Sequence, residues 1–406
     1  MKSKLLSIIV IAFSLGVTFK AQNYGIEKNP QRIILNITDQ PATSIAVTWR
    51  TNKEYQNSKI QFTTASEWID FKDTVITLEA KVEKILLDNS KLAFHYSGIM
   101  NNLKPNTLYQ YRVGHDTIWS EWSQFRTAKK ENAPFSFVYM GDPQNDIKSY
   151  CTRVFREAYK KSPDSNFWLF VGDLISTPQY DSLWNDLFYS FSFMPTTIPF
   201  ALLPGNHEYP TIKRGEEKKK EFTPYWRVHF TLPENGIKGL EETSYYFDYQ
   251  GTRFIMLNGN EKINEQAIWL EQLLANNTNK WTVVSMHQPL YSTGLERDGK
   301  QYRDVFLNLY DKYGVDLVLQ GHDHNYARSY KLYNGNIVGK KDKGTIYVNS
   351  VSGTKYYELN SKHLGLMEKK GGKVQLYQVI SVDGNNLSFK SYTVTGTLYD
   401  SFVITK

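Results

Sequence analysis

The chain has 406 residues, of which 41% are hydrophobic and 22% charged. At roughly 100 to 200 residues per domain, this length predicts two or three domains, and the composition excludes a disordered or fibrous chain. A single cysteine excludes an intramolecular disulfide and a cysteine-based zinc site. The formal charge of +7 is the one figure that favours a nucleic acid or an anionic surface as partner.

The first 22 residues have the pattern of a secretory leader. A basic start is followed by an uncharged apolar stretch from Leu5 to Val17 and by a short polar exit. We predict a signal peptide over residues 1–22 and export to the periplasm or the cell exterior, with an uncleaved anchor as the alternative. The apolar stretch is shorter than the about 20 residues that a membrane-spanning helix needs, so no transmembrane domain is expected.

Export weakens the argument from charge. Lys2, Lys4 and Lys20 fall in the predicted leader, which carries no acid, so the net charge drops from +7 to +4. The densest basic tract, residues 213–221, is interleaved with glutamates and is typical of a solvated loop. We therefore predict no nucleic-acid-binding module.

Residues 27–128 are predicted to form a small all-β sandwich. Short alternating segments are separated by turn residues, and helical periodicity is absent. The run from Leu103 to Tyr109, with Pro105 and Thr107 between them, predicts a tyrosine corner in which Tyr109 fastens the loop before its strand. With Trp49 as a core residue, the segment resembles a fibronectin type III domain.

After a polar linker, residues 133–406 are predicted to form an α/β domain. Apolar strand-like runs alternate with amphipathic stretches, which is the pattern of an α/β sheet. Helices are predicted over Ile147 to Lys160, Ile263 to Ala275 and Gln301 to Tyr313. A hairpin is expected from Ser244 to Leu257, and the chain is mostly strand after Gly344.

Five predicted strands of this domain are followed by side chains that can bind metal ions. These side chains are Asp142 and Gln144, Asp173, Asn206 and His207, His287, and His322 and His324. Ligands of open α/β sheets bind at the carboxyl ends of the strands, so these groups should meet at one place. His322 and His324 are two residues apart, and in an extended segment they would project to the same face.

A buried cluster of carboxylates, amide and imidazoles would be costly without a cation. Two metal ions remove that cost, and mixed oxygen and nitrogen ligands without thiolate suit Fe, Mn or Zn. In two-metal hydrolases a shared carboxylate bridges ions about 3.5 to 4 Å apart. The sequence therefore predicts a binuclear metal centre.

The series Gly141-Asp142, Gly172-Asp173, Gly205-Asn206-His207-Glu208, Val284 to His287 and Gly321-His322-Asp323-His324 resembles the calcineurin-like metallophosphoesterases. With the β-rich N-terminal segment and the stretch Tyr347 to Thr354, the chain is most similar to the purple acid phosphatases. The resemblance implies a four-layer αββα sandwich after the small β-sandwich.

The resemblance also implies roles for these residues. Asp142 and His324 would hold one metal, Asp173 would bridge both, and Asn206, His287 and His322 would hold the second. His207 would be the general acid or the group that stabilises the phosphoryl transition state. A hydroxide bridging the metals would hydrolyse phosphate monoesters of small molecules or macromolecules.

The chain departs from this pattern at two positions. Purple acid phosphatases carry a tyrosine three residues after the second aspartate, where this chain has Ser176. The wider superfamily often has a histidine where this chain has Gln144, a neutral group that could be a weak ligand. The absence of the phenolate predicts a protein without the purple tyrosinate–iron colour.

Two other functions are compatible with the sequence. One is a phosphodiesterase of the same fold, and the other is a non-catalytic surface or glycan-binding protein on a degenerate phosphatase fold. The complete series of ligand-type residues favours an enzyme. Arg297, in the loop after His287, could contact a substrate phosphate.

Overall fold

A computed structural model describes residues 29–214, 217–359 and 362–406 of the chain. The predicted leader over residues 1–22 lies outside the described residues. Within the described ranges, no helix is both long enough and apolar enough to cross a bilayer.

The described N-terminal residues, up to Arg126, form strands and one short 3-10 turn (Asp70–Thr74). The strands are β1 (Gln31–Asn36), β2 (Ile45–Thr51), β3 (Lys59–Thr64), β4 (Ile76–Glu79), β5 (Lys81–Leu86), β6 (Leu92–Met100), β7 (Leu108–His115), β8 (Ile118–Trp119) and β9 (Ser123–Arg126). Strands β1, β2, β6 and β5 lie in one sheet, and β4, β3, β7, β8 and β9 lie in another. The predicted all-β N-terminal domain is confirmed.

The core of this β-domain contains the two residues predicted from the sequence. Trp49 is fully buried and stacks on Tyr96, with ring centroids 5.5 Å apart. The hydroxyl of Tyr109 accepts a hydrogen bond of 2.8 Å from the backbone N–H of Lys104, as a tyrosine corner requires. The corner therefore fastens the loop that enters β7.

The next segment alternates strands and helices. Its elements are β10 (Phe135–Met140), a π-helical turn (Ile147–Cys151) that leads into α1 (Thr152–Lys161), β11 (Phe167–Phe170), α2 (Asp181–Phe191), a 3-10 turn (Met194–Thr196), β12 (Phe200–Leu202), β13 (Thr211–Arg214), β14 (Glu217–Lys220) and α3 (Tyr225–His229). The first predicted helix is thus confirmed as a π-helical turn followed by α1.

The remaining elements begin with the predicted hairpin. They are β15 (Tyr245–Tyr249), β16 (Thr252–Leu257), α4 (Ile263–Ala275), β17 (Trp281–Met286), α5 (Lys300–Tyr313), β18 (Leu317–Gln320), β19 (Tyr326–Ser329), β20 (Leu332–Tyr333), β21 (Asn336–Ile337), β22 (Ile346–Asn349), a 3-10 turn (Leu364–Leu366), β23 (Met367–Gly371), β24 (Leu376–Asp383), β25 (Asn386–Thr393) and β26 (Leu398–Thr405). Helices α4 and α5 confirm the other two helix predictions.

Two sheets pack face to face between two layers of helices. One sheet contains β26-β25-β24-β10-β11-β12, and the other has the order β15-β16-β17-β18-β22-β19-β23. Their facing sides meet through aromatic rings, such as Phe137 against Phe254 with centroids 5.2 Å apart. On the outer faces, Phe155 of α1 packs on Phe170 of β11, and Phe306 of α5 belongs to a cluster with the second sheet. The four-layer prediction is confirmed.

The first sheet continues into the N-terminal β-domain. Strand β12 pairs in parallel with β1 through Phe200 and Asn36, so ten strands form one sheet. The junction also contains buried charges: Asp181 at the start of α2 lies 2.7 Å from guanidinium nitrogens of both Arg32 and Arg50. The β-domain is therefore attached to the α/β domain by backbone pairing and by ion pairs.

The topology decides where the site lies. Strands β10, β11 and β12 are parallel in the first sheet, and β16, β17, β18 and β22 are parallel in the second. The loops that follow β10, β11, β12, β17 and β18 meet at one edge of the sandwich, where the predicted ligand residues lie.

Candidate metal centre

The structure brings all of the predicted site residues together at this edge. Five of them form two groups of potential ligand atoms, each with its atoms within 4.8 Å of one another. The first ligand group is Asp142, Asp173 and His324, and the second is Asp173, His287 and His322. Asp173 belongs to both groups.

Short distances define the second ligand group. The Nε2 atom of His287 lies 3.2 Å from Asp173 Oδ2 and 3.2 Å from His322 Nδ1. The side-chain oxygen of Asn206 is 3.3 Å from the same Nε2 atom. The other ring nitrogen of His287 lies 2.7 Å from the backbone oxygen of Val171, to which it can donate. That bond leaves Nε2 available as a ligand atom.

The carboxamide of Gln144 lies at the edge of the first ligand group. His324 Nε2 lies 3.7 Å from Asp142 Oδ1. The Gln144 nitrogen is 3.0 Å from His324 Nε2 and 3.2 Å from Asp173 Oδ2. The Gln144 oxygen is buried without a hydrogen-bond partner among the described residues. A half-turn of the amide would place this oxygen among the ligand atoms.

The backbone at the ligand residues is unusual. Asp142, Asp173, His322 and His324 have φ angles of 51°, 50°, 75° and 50°, all in the left-handed region that residues with a side chain rarely adopt. The expectation that His322 and His324 share a face of an extended segment is therefore wrong. Each imidazole instead joins a different ligand group, because the left-handed turns re-aim the two side chains. Strained backbone of this kind concentrates at functional sites.

Two glycines are required by close approach of the ligand carboxylates. A Cβ atom on Gly321 would overlap Asp142 Oδ2, and a Cβ atom on Gly205 would overlap Asp173 Oδ1. Neither glycine has a left-handed φ, in contrast to Gly172 at 90°. Gly205 and Gly321 thus make room for the carboxylates, while the ligand residues themselves make sharp turns.

Burial and mutual proximity shift the protonation of the carboxylates and His287. Complete burial raises the pKa of Asp142 to about 8, against the effect of His287. Burial also favours protonation of Asp173, but the neighbouring His287 and its hydrogen bonds hold the pKa of Asp173 below its usual range. Burial disfavours the charged form of His287, yet Asp173 and Asp142 raise its pKa to about 9. In the metal-free cluster, protons on Asp142 and His287 therefore offset the negative charge of the carboxylates.

The other two histidines favour the neutral form that binds metals. Burial, with the nearby His287, lowers the pKa of His322 well below its usual value. Burial, with the nearby Lys355, lowers the pKa of His324 to about 3. Neutral imidazoles with a free lone pair are the commonest metal ligands in proteins.

His207 lies beside the ligands and remains partly exposed. Its backbone N–H donates a hydrogen bond of 2.7 Å to Asp173 Oδ1. Its Nδ1 atom is 2.7 Å from the backbone oxygen of Ser176, to which it can donate. The Nε2 atom then remains available, 4.0 Å from Asp173 Oδ2, on a side chain that is 30% exposed.

Glu208 is a functional residue that the sequence interpretation missed. It is fully buried, and its carboxylate accepts hydrogen bonds from the backbone N–H groups of Gly205 (2.7 Å), Asp173 (3.0 Å) and Leu174 (2.9 Å). Burial, with the nearby Asp173, raises the pKa of Glu208 to about 7. Glu208 thereby joins the loops after β11 and β12. The only signal in the sequence was its position beside Asn206 and His207.

Arg297 supports the ligand loop. Its guanidinium donates a hydrogen bond of 2.6 Å to the backbone oxygen of His322 and lies 3.4 Å from Asp323. It also lies 4.9 Å from the ring centroid of Tyr357, which packs against His324. Arg297 therefore positions the His322–His324 segment.

The residues present fit a pair of metal ions. Two groups of carboxylate and imidazole ligand atoms share one carboxylate, and the donor set of oxygen and nitrogen suits Fe, Mn or Zn. The buried side-chain oxygen of Gln144 has no hydrogen-bond partner among the described residues. The site thus contains an acceptor that its own donors do not satisfy.

Comparisons with known proteins identify relatives over both parts of the chain. Residues 30–127 match the family model described as Purple acid Phosphatase, N-terminal domain, and residues 135–326 match Calcineurin-like phosphoesterase. Probable purple acid phosphatase 20 from Arabidopsis thaliana is 29% identical over 315 residues, covering 70% of this chain and 70% of that protein. Purple acid phosphatase 21 from the same plant is 29% identical over 243 residues, covering 57% of this chain and 52% of that protein.

A solved structure shows the same fold. Purple acid phosphatase PPD1 from yellow lupin seeds superimposes with a TM-score of 0.78 and 19% identity, covering 93% of this chain and 74% of the lupin chain. At this identity the match establishes the architecture alone. The fold and the sequence relatives of this chain therefore point to the same group of proteins.

Proposed function

Because the chain belongs to the calcineurin-like phosphoesterases, with the N-terminal domain of purple acid phosphatases, and is a phosphoester hydrolase, we propose that it hydrolyses phosphate monoesters at a binuclear metal centre. The observation that carries the proposal is the pair of ligand groups that share Asp173. A shared carboxylate is the usual bridge in two-metal hydrolases.

The proposed assignment of ligands follows the two groups. Asp142 and His324 would hold one metal, Asp173 both, and Asn206, His287 and His322 the other, with Gln144 as an additional weak ligand of the first. Bound metals would supply Lewis-acid stabilisation of phosphoryl oxygens and a more acidic water.

In this proposal His207 serves the leaving group. Its Nδ1 atom would stay hydrogen-bonded to the Ser176 carbonyl, 2.7 Å away, which fixes the ring. The partly exposed Nε2 atom would then deliver a proton to the leaving oxygen or stabilise the phosphoryl group. Glu208 would hold the loop of Asp173 in place through its backbone hydrogen bonds.

The proposal also covers the leader and the domain boundaries of the chain. We propose a leader over residues 1–22 and export, a fibronectin type III-like domain over residues 27–128, and the phosphoesterase domain over residues 133–406. Cell fractionation and N-terminal sequencing of the secreted protein would test the leader. Finding residues 1–22 on a protein retained in the cytoplasm would contradict it.

Two measurements test the catalytic proposal. Metal content is determined by elemental analysis, and turnover is measured with p-nitrophenyl phosphate and with its bis ester. We expect two metals per chain and faster hydrolysis of the monoester. Asp173→Ala should lose metal and turnover, whereas His207→Ala should keep metal and lose roughly 100-fold or more in rate. The matched control is Asp383→Ala, at the exposed end of β24.

The outcomes separate the alternative functions. Faster hydrolysis of the bis ester would favour the phosphodiesterase. Absence of both metal and turnover would favour the non-catalytic binding protein. Unchanged turnover in His207→Ala would remove His207 from the mechanism.

A further inference from the structure

A cavity of about 710 Å³ opens beside the first ligand group, and His324 forms part of its wall. Three cationic side chains, Arg153, Lys355 and Lys373, also line it. Among the described residues that line this cationic cavity, none is an aspartate or a glutamate. Its volume lies in the range of about 300 to 1,000 Å³ that is typical of small-molecule sites.

The cations are positioned by specific neighbours. The ammonium group of Lys355 lies 5.0 Å from the ring centroid of Tyr357, and that ring lies 4.9 Å from the ring of His324. The ammonium group of Lys373 lies 5.3 Å from the ring centroid of Tyr356. Aromatic faces attract cations and restrict where they lie. Lys355 is thus placed next to a candidate metal ligand.

Arg153 is held by a neutral side chain that also lines the cavity. Its Nη2 and Nε atoms lie 2.6 and 3.3 Å from the side-chain oxygen of Gln375. The amide nitrogen of Gln375 in turn donates a hydrogen bond of 2.8 Å to the backbone oxygen of Ser352. The guanidinium is therefore oriented by a neutral amide, which does not compensate its charge.

The positive charge extends beyond this cavity. An adjoining cavity of about 660 Å³ shares Arg153 and adds Lys148, Arg156 and Lys160. Glu157 is its one acidic lining residue among those described, and it lies 3.7 Å from Lys160. A concave surface that carries one sign of charge concentrates oppositely charged ligands. The cations repel one another, so an anion bound among them would be favoured.

We propose that the cationic cavity binds a second phosphate group on the substrate, so that the preferred substrates are small bisphosphates. This inference rests on the proposed phosphatase function. The scissile phosphate would lie at the two ligand groups, and the leaving group would extend past His324 into the cationic cavity. There Lys355, Lys373 and Arg153 would contact the second phosphate. The cavity would thereby determine which monoesters are turned over efficiently.

A matched pair of esters tests the proposal. Hexyl phosphate and hexane-1,6-diol bisphosphate have the same kind of alkoxide leaving group and differ in the second phosphate. We expect the metal-loaded wild type to have a kcat/KM roughly tenfold higher for the bisphosphate, after correction for its two equivalent ends. Salt should reduce this ratio, because the cations are solvent-accessible and their attraction is screened.

Two variants of the cavity lysines and one control assign the preference to the cavity. In the double variant K355Q/K373Q the ratio should fall to near one. The matched control K341Q removes an exposed lysine before β22, at the end of the sheet remote from the ligand groups, and should leave the ratio as in the wild type. Because Lys373 is exposed, the single variant K373Q provides a second test in which folding is not at risk.

Binding of inert analogues separates this inference from the proposed function. Dissociation constants of hexylphosphonate and hexane-1,6-bisphosphonate are measured by calorimetry on the same metal-loaded proteins. A roughly tenfold preference for the bisphosphonate that disappears in K355Q/K373Q would support the inference even if neither ester were hydrolysed, an outcome that would count against the phosphatase. A calorimetric ratio near one in the wild type, or one unchanged in K355Q/K373Q, would overturn the inference even if both esters were hydrolysed.

Discussion

Glu208 provides the sharpest test of how the centre is held together. Its carboxylate accepts three hydrogen bonds from buried backbone N–H groups, on Gly205, Asp173 and Leu174. In Glu208→Gln, one amide oxygen can keep the two bonds to Gly205 and Asp173. The amide NH₂ group then faces the N–H of Leu174, so one buried donor loses its acceptor at a cost of about 1 to 3 kcal/mol. In Glu208→Ala all three donors lose their acceptor, and we expect a cost of about 3 to 9 kcal/mol.

The assay combines stability with metal content. Unfolding in urea is followed by circular dichroism and tryptophan fluorescence, and bound metal is measured in the same samples. Because Glu208 orients the loop of Asp173, we also expect metal affinity to fall about 10- to 100-fold in Glu208→Ala. The control Glu265→Gln, on the exposed side of α4, should stay within about 0.5 kcal/mol of the wild type. A Glu208→Ala protein that kept both its stability and its metal would refute the reasoning.

The remaining predictions concern protonation, the domain junction and colour. Asp142 and His287 have pKa values raised to about 8 and about 9 in the metal-free fold. Their raised values stabilise the metal-free protein at low pH. This stability should be lost as pH rises, between about 4 and 8 for Asp142 and between about 6.5 and 9 for His287, and a pH-independent midpoint of unfolding from about pH 4 to 9 would contradict it. Metal binding at pH 7 should release protons, which calorimetry in two buffers of different ionisation enthalpy detects. Asp181→Ala leaves two buried guanidinium groups without their carboxylate and should cost about 3 to 5 kcal/mol in unfolding free energy, whereas a cost below 1 kcal/mol would show that the junction does not depend on it. With Ser176 in place of a tyrosine, the metal-loaded protein should lack a tyrosinate–iron absorption band in its visible spectrum. A purple protein would contradict this expectation.

Much of the fold could be predicted because its signals are local. The helices at Ile263–Ala275 and Lys300–Tyr313 carry an apolar face with helical spacing, and their observed bounds differ from prediction by at most one residue. The corner at Tyr109 was recognisable because its donor, Lys104, is five residues away. Such features need only neighbouring residues to specify them.

The continuous sheet lacked such a signal. Strands β1 and β12 are separated by more than 160 residues, and they pair through Asn36 and Phe200. Nothing in the alternation of either strand indicates its partner, because periodicity reports which face is buried and not which strand lies alongside.

The chemical types at the site were likewise determined by the sequence. Carboxylate, amide and imidazole groups follow five apolar runs, and the lone cysteine left no thiolate to compete with them. The family resemblance implied their division around Asp173, but the spacing of the residues did not, since His322 and His324 separate through left-handed backbone that no spacing rule predicts. Tertiary structure decided the role of Glu208, whose hydrogen bonds depend on how two loops approach each other.

The same distinction explains the cationic cavity. The sequence supplies the charges of this cavity from three segments, near residues 153, 355 and 373, that lie far apart along the chain. Packing of the two sheets and α1 then placed these charges around one space next to His324. Local pattern determines the type of each element and the chemistry that it carries. Long-range packing determines which of these functional groups come into contact, because contacts between distant segments have no signature within either segment.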